Sequence, residues 1–201
     1  LTETERAEYD RERSIYKDFI VSQGIRFSSA TGWSDFVIKS SRSAQGRRAM
    51  KAYLRQKQLA FAAPSKLHEV DRLLQLHRKD RTLLFTQNNS TAYEVAKRFL
   101  IPVITHQTKP TERAEILDGF SEGRYRAVVT SKVLNEGIDV PDANVAIVIS
   151  GSGSVREHVQ RLGRILRQGA DDKVAILYEL IAADTSETYT SARRREHNAY
   201  R

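Results

Sequence analysis

RTLLFTQNNSTAYEVAKRFL, residues 81–100, contains the change of period that decides the fold. RTLLFT is a short apolar run of strand length; polar NNS ends it, and STAYEVAKRFL takes up a helical pattern. The couplet recurs downstream. PVIT (102–105) precedes a helix over Pro110–Glu122, and RAVVTS (126–131) is followed by a short helical piece and NEGIDVPDA. VAIVIS (145–150) precedes a helix containing HVQRLGRILRQG (158–169), and KVAILYEL (173–180) closes the series. Strands alternating with helices at this spacing predict an α/β domain on a parallel sheet with both faces covered. In open sheets of this kind function collects at the strands' carboxyl ends. Those ends are Phe85-Thr86-Gln87, Thr105-His106-Gln107, Thr130-Ser131-Lys132 and Ser150-Gly151-Ser152-Gly153, all polar, small or glycine-containing.

Residues 1–80 have a different texture. A helix is expected from Thr4 to Val21, with Tyr9, Ile15, Tyr16, Phe19 and Ile20 as its apolar contacts. SQGIRFSSATGWSDF reads as a polar linker, and helical patterns resume near 42–61 and 65–79, the latter after Pro64-Ser65. The final stretch, TSARRREHNAYR, is polar and expected to fray, with Arg193-Arg194-Arg195 solvated.

The chain has 201 residues, 40% apolar and 29% charged, with no apolar run of membrane-spanning length. It has no cysteine, which rules out disulfides and thiolate zinc sites and fits a reducing interior. The net charge of +8 is compatible with a polyanionic partner such as nucleic acid, or with a basic protein and nothing more. LTETERAEYDRERS opens the chain without methionine and without the apolar core of a signal peptide, so a piece of a longer protein is expected.

Two downstream motifs carry candidate chemistry. On a helix, Gln160, Arg164 and Arg167 lie at about 0°, 40° and −20° and share one face, with Leu162, Ile165 and Leu166 opposite. Such a face is either solvated or directed at phosphates, which guanidinium forks bind bidentately. Gly163, mid-helix, costs about 1 kcal/mol relative to alanine and points to a close approach there. In VVTSKVLNEGIDVPDANVAIVIS, Gly137 fits a helix C-cap. Asp139, just beyond, is placed to accept from ribose hydroxyls or to orient an arginine.

Together these motifs resemble a known family. SKVLNEGIDVPDA followed about twenty residues later by QRLGRILR resembles motifs V and VI of superfamily 2 helicases. FTQNNSTAYEVAKRF resembles their motif IV, and THQTKPTERAEILDGFSEGRYRAVVTS the strand-helix-strand after it. The resemblance covers 81–180, half the chain, and QRLGRILR with SGSGSVRE upstream is most similar to the XPB branch of repair and transcription translocases, in its archaeal form. It implies a RecA-like parallel sheet flanked by helices (81–183), an N-terminal helical appendage including a thumb-like element (1–80), and a polar basic tail (184–201).

Residue by residue, the resemblance implies that Arg167 is the finger directed at the ATP γ-phosphate. Arg164 also faces the phosphates, Gln160 opens the motif, and Arg161 braces neighbouring elements. Gly137 and Asp139 match the Gly-x-Asp that faces nucleotide and domain interface. Ser131 and Lys132 fall where motif V contacts the nucleic-acid backbone, although the family more often has Thr at the first position and many members have Asp at the second. Thr86 and Gln87 in motif IV, and Thr105 and Thr108 after it, match phosphate-contacting segments. Trp33 either caps a hydrophobic corner or stacks on a base at a thumb tip; Lys39, Arg42, Arg47, Arg48 and Lys51 form a solvated helix face or a DNA contact. His106 and His158 are isolated, and no metal site is expected.

No G-x-x-x-x-G-K-[ST] loop and no Asp-Glu pair at a strand end occurs, so ATP and Mg2+ are expected to be held mainly by an N-terminal helicase domain of the same protein. The chain alone is expected to hydrolyse no ATP. The resemblance implies the C-terminal motor domain of an ATP-dependent 3′–5′ DNA helicase or translocase in nucleotide excision repair or transcription. Its expected partners are DNA and a repair nuclease or transcription-factor subunits, with no membrane. The expected place is the archaeal or bacterial cell interior, or the nucleus of a eukaryote. The alternatives are a non-catalytic helicase-fold module that binds DNA or a protein, and another superfamily 2 motor such as an RNA helicase.

Overall fold

The computed structural model describes residues 1–131, 143–150 and 176–195, the side chains of 193–195 excepted. The chain divides into two compact units, Leu1–Ala63 and Pro64–Arg201.

The first unit is three helices: α1 (Glu3–Ser22), α2 (Gly32–Ser41) and α3 (Ala44–Ala62). A reciprocal capping box starts α1, with Glu5 N donating to Thr2 Oγ1 (3.2 Å) and Thr2 N to Glu5 Oε2 (2.7 Å). A Schellman turn ends it: Ile25 N donates to Ile20 O and Gly24 N to Val21 O, with Gly24 at φ 62°. α1 and α3 run antiparallel, because Glu8 pairs with Arg55 and Glu12 with Arg48. Arg48 donates twice, at 2.6 and 2.8 Å, to the buried Glu12. These hydrogen bonds hold both carboxyls below the usual glutamate value. Apolar clusters lie along this seam, one on Tyr9, Leu59 and Phe61 and one on Phe19, Ile25, Phe36 and Ala49.

The 22–36 stretch is not wholly linker, since α2 begins at Gly32. A Cβ on Gly32 would lie 2.1 Å from Arg26 O, so only glycine permits that turn-to-helix approach. Trp33, 48% exposed, rests against Phe27, Phe36 and Tyr53 with ring centroids 5.3–6.4 Å apart. It caps an aromatic corner and keeps half its surface open.

The second unit comprises α4 (Pro64–Leu76), β1 (Thr82–Thr86), α5 (Asn89–Phe99), β2 (Val103–Ile104), α6 (Pro110–Ser121), β3 (Ala127–Ser131), β4 (Val145–Val148), β5 (Ile176–Glu179) and α7 (Ser186–Arg195). The strands form one all-parallel sheet in the order β2-β3-β1-β4-β5, with Thr82 opposite both Ala127 and Val145. Central β1 is buried throughout, as a two-faced parallel strand requires, and Leu83, Phe85, Ile104, Phe120, Val128 and Val148 share one core.

Two boundaries differ from the sequence expectation. α4 groups with the sheet unit and not with the helices before it. The tail's polar residues from 186 form a helix with an anchor: Glu187 Oε2 lies 2.5 Å from Lys66 Nζ, with side chains 5% and 6% exposed. Glu187 Oε2 also accepts from Ala182 N, and Thr185 Oγ1 caps the helix by accepting from Glu187 N. At the end of α4, His77 is held between Asp80 Oδ2 and Tyr178 OH of β5, at 2.9 Å from each. Leu100 closes α5 in the left-handed region (φ 53°) and is 90% exposed, at a strain cost of roughly 1–2 kcal/mol.

Candidate nucleic-acid interface

From β1 the chain runs through α5 toward β2, and from β4 it runs to β5 on the other side. The sheet's switch of direction therefore lies between adjacent β1 and β4, where α/β folds open a crevice beyond the strand ends. Gln87 N donates to Ser150 Oγ (3.0 Å) across this point.

Beside it, three side chains form a relay. The Ser131 hydroxyl donates to Asn89 Oδ1, which turns the Asn89 amide nitrogen toward His106 Nδ1, 3.0 Å away. His106 Nδ1 thus accepts, leaving its Nε2–H as an outward donor. The 105–108 turn is self-bonded: Thr105 N donates to Thr108 Oγ1 (2.9 Å) and Gln107 N to Thr105 Oγ1 (3.2 Å). Tyr93 OH, on α5, bridges Thr105 Oγ1 and Gln107 Oε1. Asn88 caps α5 by accepting from Thr91 N, so the N-termini of α5 and α6 open onto this rim with their positive dipole ends. Segments 86–91 and 105–109 hold no carboxylate and one lysine, Lys109.

The residues expected to touch nucleic acid divide into two sets. Thr86, Thr105 and Ser131 are at most 1% exposed. Their hydroxyls are engaged, that of Thr86 shared between Asn88 O (3.1 Å) and Thr130 O (3.2 Å). They lie beneath the rim and shape it. Gln87 and Thr108 are half-buried and reach the surface. Asn89, Tyr93, His106 and Gln107 join them there, although His106 reads as isolated in the sequence. Its only advance sign is a place between a strand end and a Pro-led helix. Lys132, Gly137, Asp139, Gln160, Arg164 and Arg167 lie outside the described residues. Among the described residues no group of three or more His, Asp or Glu is arranged to hold a metal, and no helix is long and apolar enough to cross a membrane.

The sheet order and its flanking helices define the class by fold: a RecA-like α/β domain. The C-terminal domain of the DEAD-box protein Dbp5 superposes with a TM-score of 0.56 at 19% identity, over 65% of this chain and 77% of that one, a likeness of fold. The model of the ERCC3/RAD25/XPB C-terminal helicase matches residues 47–199, and the chain belongs to that family. It is 39% identical over 196 residues to the DNA 3′-5′ translocase XPB2 of Sulfurisphaera tokodaii, covering 98% of this chain and 44% of the relative. It is 35% identical over 148 residues to the general transcription and DNA repair factor IIH helicase/translocase subunit XPB2 of Arabidopsis thaliana, covering 66% and 19%. The chain thus spans less than half the length of either relative.

Proposed function

We propose that this chain is the C-terminal motor domain of an ATP-dependent 3′–5′ DNA helicase or translocase serving nucleotide excision repair or transcription. The observation that carries this reading is the rim: two helix N-termini and neutral donors meet at the carboxyl edge of a parallel sheet. Segments 86–91 and 105–109 hold no carboxylate, the first one after Lys109 being Glu112 in the first turn of α6. In a family whose members are named DNA 3′-5′ translocases, such a surface suits a sugar-phosphate backbone held without reading bases. Gln87, Asn89, His106, Gln107 and Thr108 are the proposed contacts. Thr86, Thr105 and Ser131 hold them in place, and Lys132 adds a charge beside Ser131. In the first unit, residues 36–63 contain no Asp or Glu and seven Lys or Arg, of which Arg48 and Arg55 are paired with glutamates of α1; the remaining five favour a thumb-like DNA contact through Arg42, Lys51 and Trp33.

ATP and Mg2+ are assigned mainly to an N-terminal helicase domain of the same protein. Gln160, Arg164 and Arg167 face the phosphates, with Gly137 and Asp139 beside the nucleotide; no magnesium ligand is assigned to this chain. Bound ATP supplies the phosphoryl transfer whose turnover drives movement. Transcription-factor subunits or a repair nuclease are the proposed partners, within a prokaryotic cell or a eukaryotic nucleus.

Two measurements test the reading. Single-stranded DNA should bind this chain with a steep salt dependence, and Asn89→Ala with His106→Ala should weaken binding several-fold with an unchanged circular dichroism spectrum. Unaltered affinity would remove the interface. In the full-length protein, Arg167→Ala should lower kcat about a thousandfold while ATP still binds. This chain alone should show no turnover above background; wild-type kcat in the variant would end the finger assignment, and preferential stimulation by RNA would make the motor an RNA helicase.

A further inference from the structure

At the edge of the sheet opposite the rim, Thr82 and Ala127, the first residues of β1 and β3, help wall a cavity of about 500 Å3. Four arginines line it from three directions. Arg78 follows α4, Arg98 comes from the last turn of α5, and Arg124 and Arg126 come from the turn between α6 and β3. All four are exposed. Arg124 pairs with Glu122 (2.7 Å), while among the described residues Arg78, Arg98 and Arg126 pair with no carboxylate. Arg126 Nη1 reaches only the Lys79 carbonyl, at 3.5 Å.

The wall also carries apolar surface, from Leu74, Phe99, Leu100, Pro102 and the Tyr125 ring, and two carboxylates, Asp71 and Asp80, the second bonded to His77. Leu100 is the informative one. It is 90% exposed and held at φ 53°, so the chain keeps a leucine in strained backbone where no packing among the described residues offsets the strain. An exposed apolar side chain beside uncompensated guanidiniums asks for a ligand with both characters.

We propose that this cavity docks an acidic peptide segment of a partner protein, one that sets an apolar side chain on Leu100 and Pro102 and its carboxylates on the arginine forks. Guanidiniums bind carboxylates bidentately, and the volume is that of an ordinary ligand pocket. A lone phosphate leaves the apolar wall bare. A nucleic-acid backbone likewise gains nothing from the apolar wall at Leu100 and Pro102. The site is independent of the DNA-binding reading, because none of its residues belongs to the rim.

Fluorescence anisotropy of a labelled peptide, a Leu-Phe pair flanked by glutamates, tests the proposal on this chain at about 0.1 M salt. Binding is expected to weaken more than tenfold in Arg98→Glu/Arg126→Glu and several-fold in Leu100→Gly. The rim variants Asn89→Ala and Gln87→Ala should leave it unchanged. An all-glutamate peptide should bind at least tenfold more weakly, and inorganic phosphate should not compete. Absence of binding, equal binding of the all-glutamate peptide, or an unaffected charge-reversal variant overturns the proposal. So does tighter binding of single-stranded DNA through Arg98 and Arg126, which would assign the cavity to nucleic acid.

Discussion

Glu187→Ala takes away the carboxylate 2.5 Å from Lys66 Nζ in a place where both side chains are nearly excluded from water. Breaking a buried pair on one side costs about 3–5 kcal/mol, because the remaining charge stays desolvated. The Ala182 N–H loses its acceptor in the same substitution. Unfolding entropy is about 2.1 cal/mol/K per residue near 60 °C, so the second unit, roughly 140 residues, carries about 0.3 kcal/mol/K. The melting temperature of that unit should therefore fall by roughly 10–17 °C. Differential scanning calorimetry on this chain reads it directly. Lys66→Met with Glu187→Leu should recover most of the loss, since apolar replacement of a buried pair is often neutral. A drop of under about 3 °C for Glu187→Ala, or no recovery in the double variant, would refute the anchoring role.

Two further outcomes follow from the first unit. Glu8 and Glu12 have lowered folded-state pKa values, so the stability they contribute is full above the ordinary glutamate value of about 4.3 and is lost as pH falls through their folded values. Acid titration followed by far-ultraviolet circular dichroism should show this, and Glu12→Gln should remove much of the dependence while lowering stability at neutral pH. Gly32→Ala should cost about 1–3 kcal/mol in urea melts, because its Cβ would meet the backbone carbonyl of Arg26 at 2.1 Å. A stable variant with α2 intact would contradict that geometry.

The strands were legible because each is an apolar run bounded by polar residues, and a parallel sheet buries both faces of β1 and β3. α2 was not. Its N-cap residue Thr31 makes no side-chain cap bond, and what fixes the helix is the aromatic corner of Phe36 and Tyr53, a contact between residues distant in sequence. The helical tail was hidden for a similar reason: a polar sequence gives no sign that Glu187 meets a lysine far upstream. At the rim, sequence placed Thr86, Thr105 and Ser131 at the correct strand ends. Side-chain alternation within strand and turn then put their hydroxyls inward and left Asn89 and His106 outside, which no local pattern announces.

The Lys66–Glu187 pair also sets an order in time. Its partners are 121 positions apart, so at 5–20 residues per second about 6–24 s separate the synthesis of the lysine from that of its counter-charge. The partners of the Glu12–Arg48 bond are 36 positions apart, and their synthesis is separated by only about 2–7 s. The three-helix unit can therefore be complete on the ribosome while the sheet unit still waits for its last helix. During that wait α4 carries a lysine shaped for burial whose Glu187 partner has not yet been made, and any chaperone that attends this chain would meet it in that state.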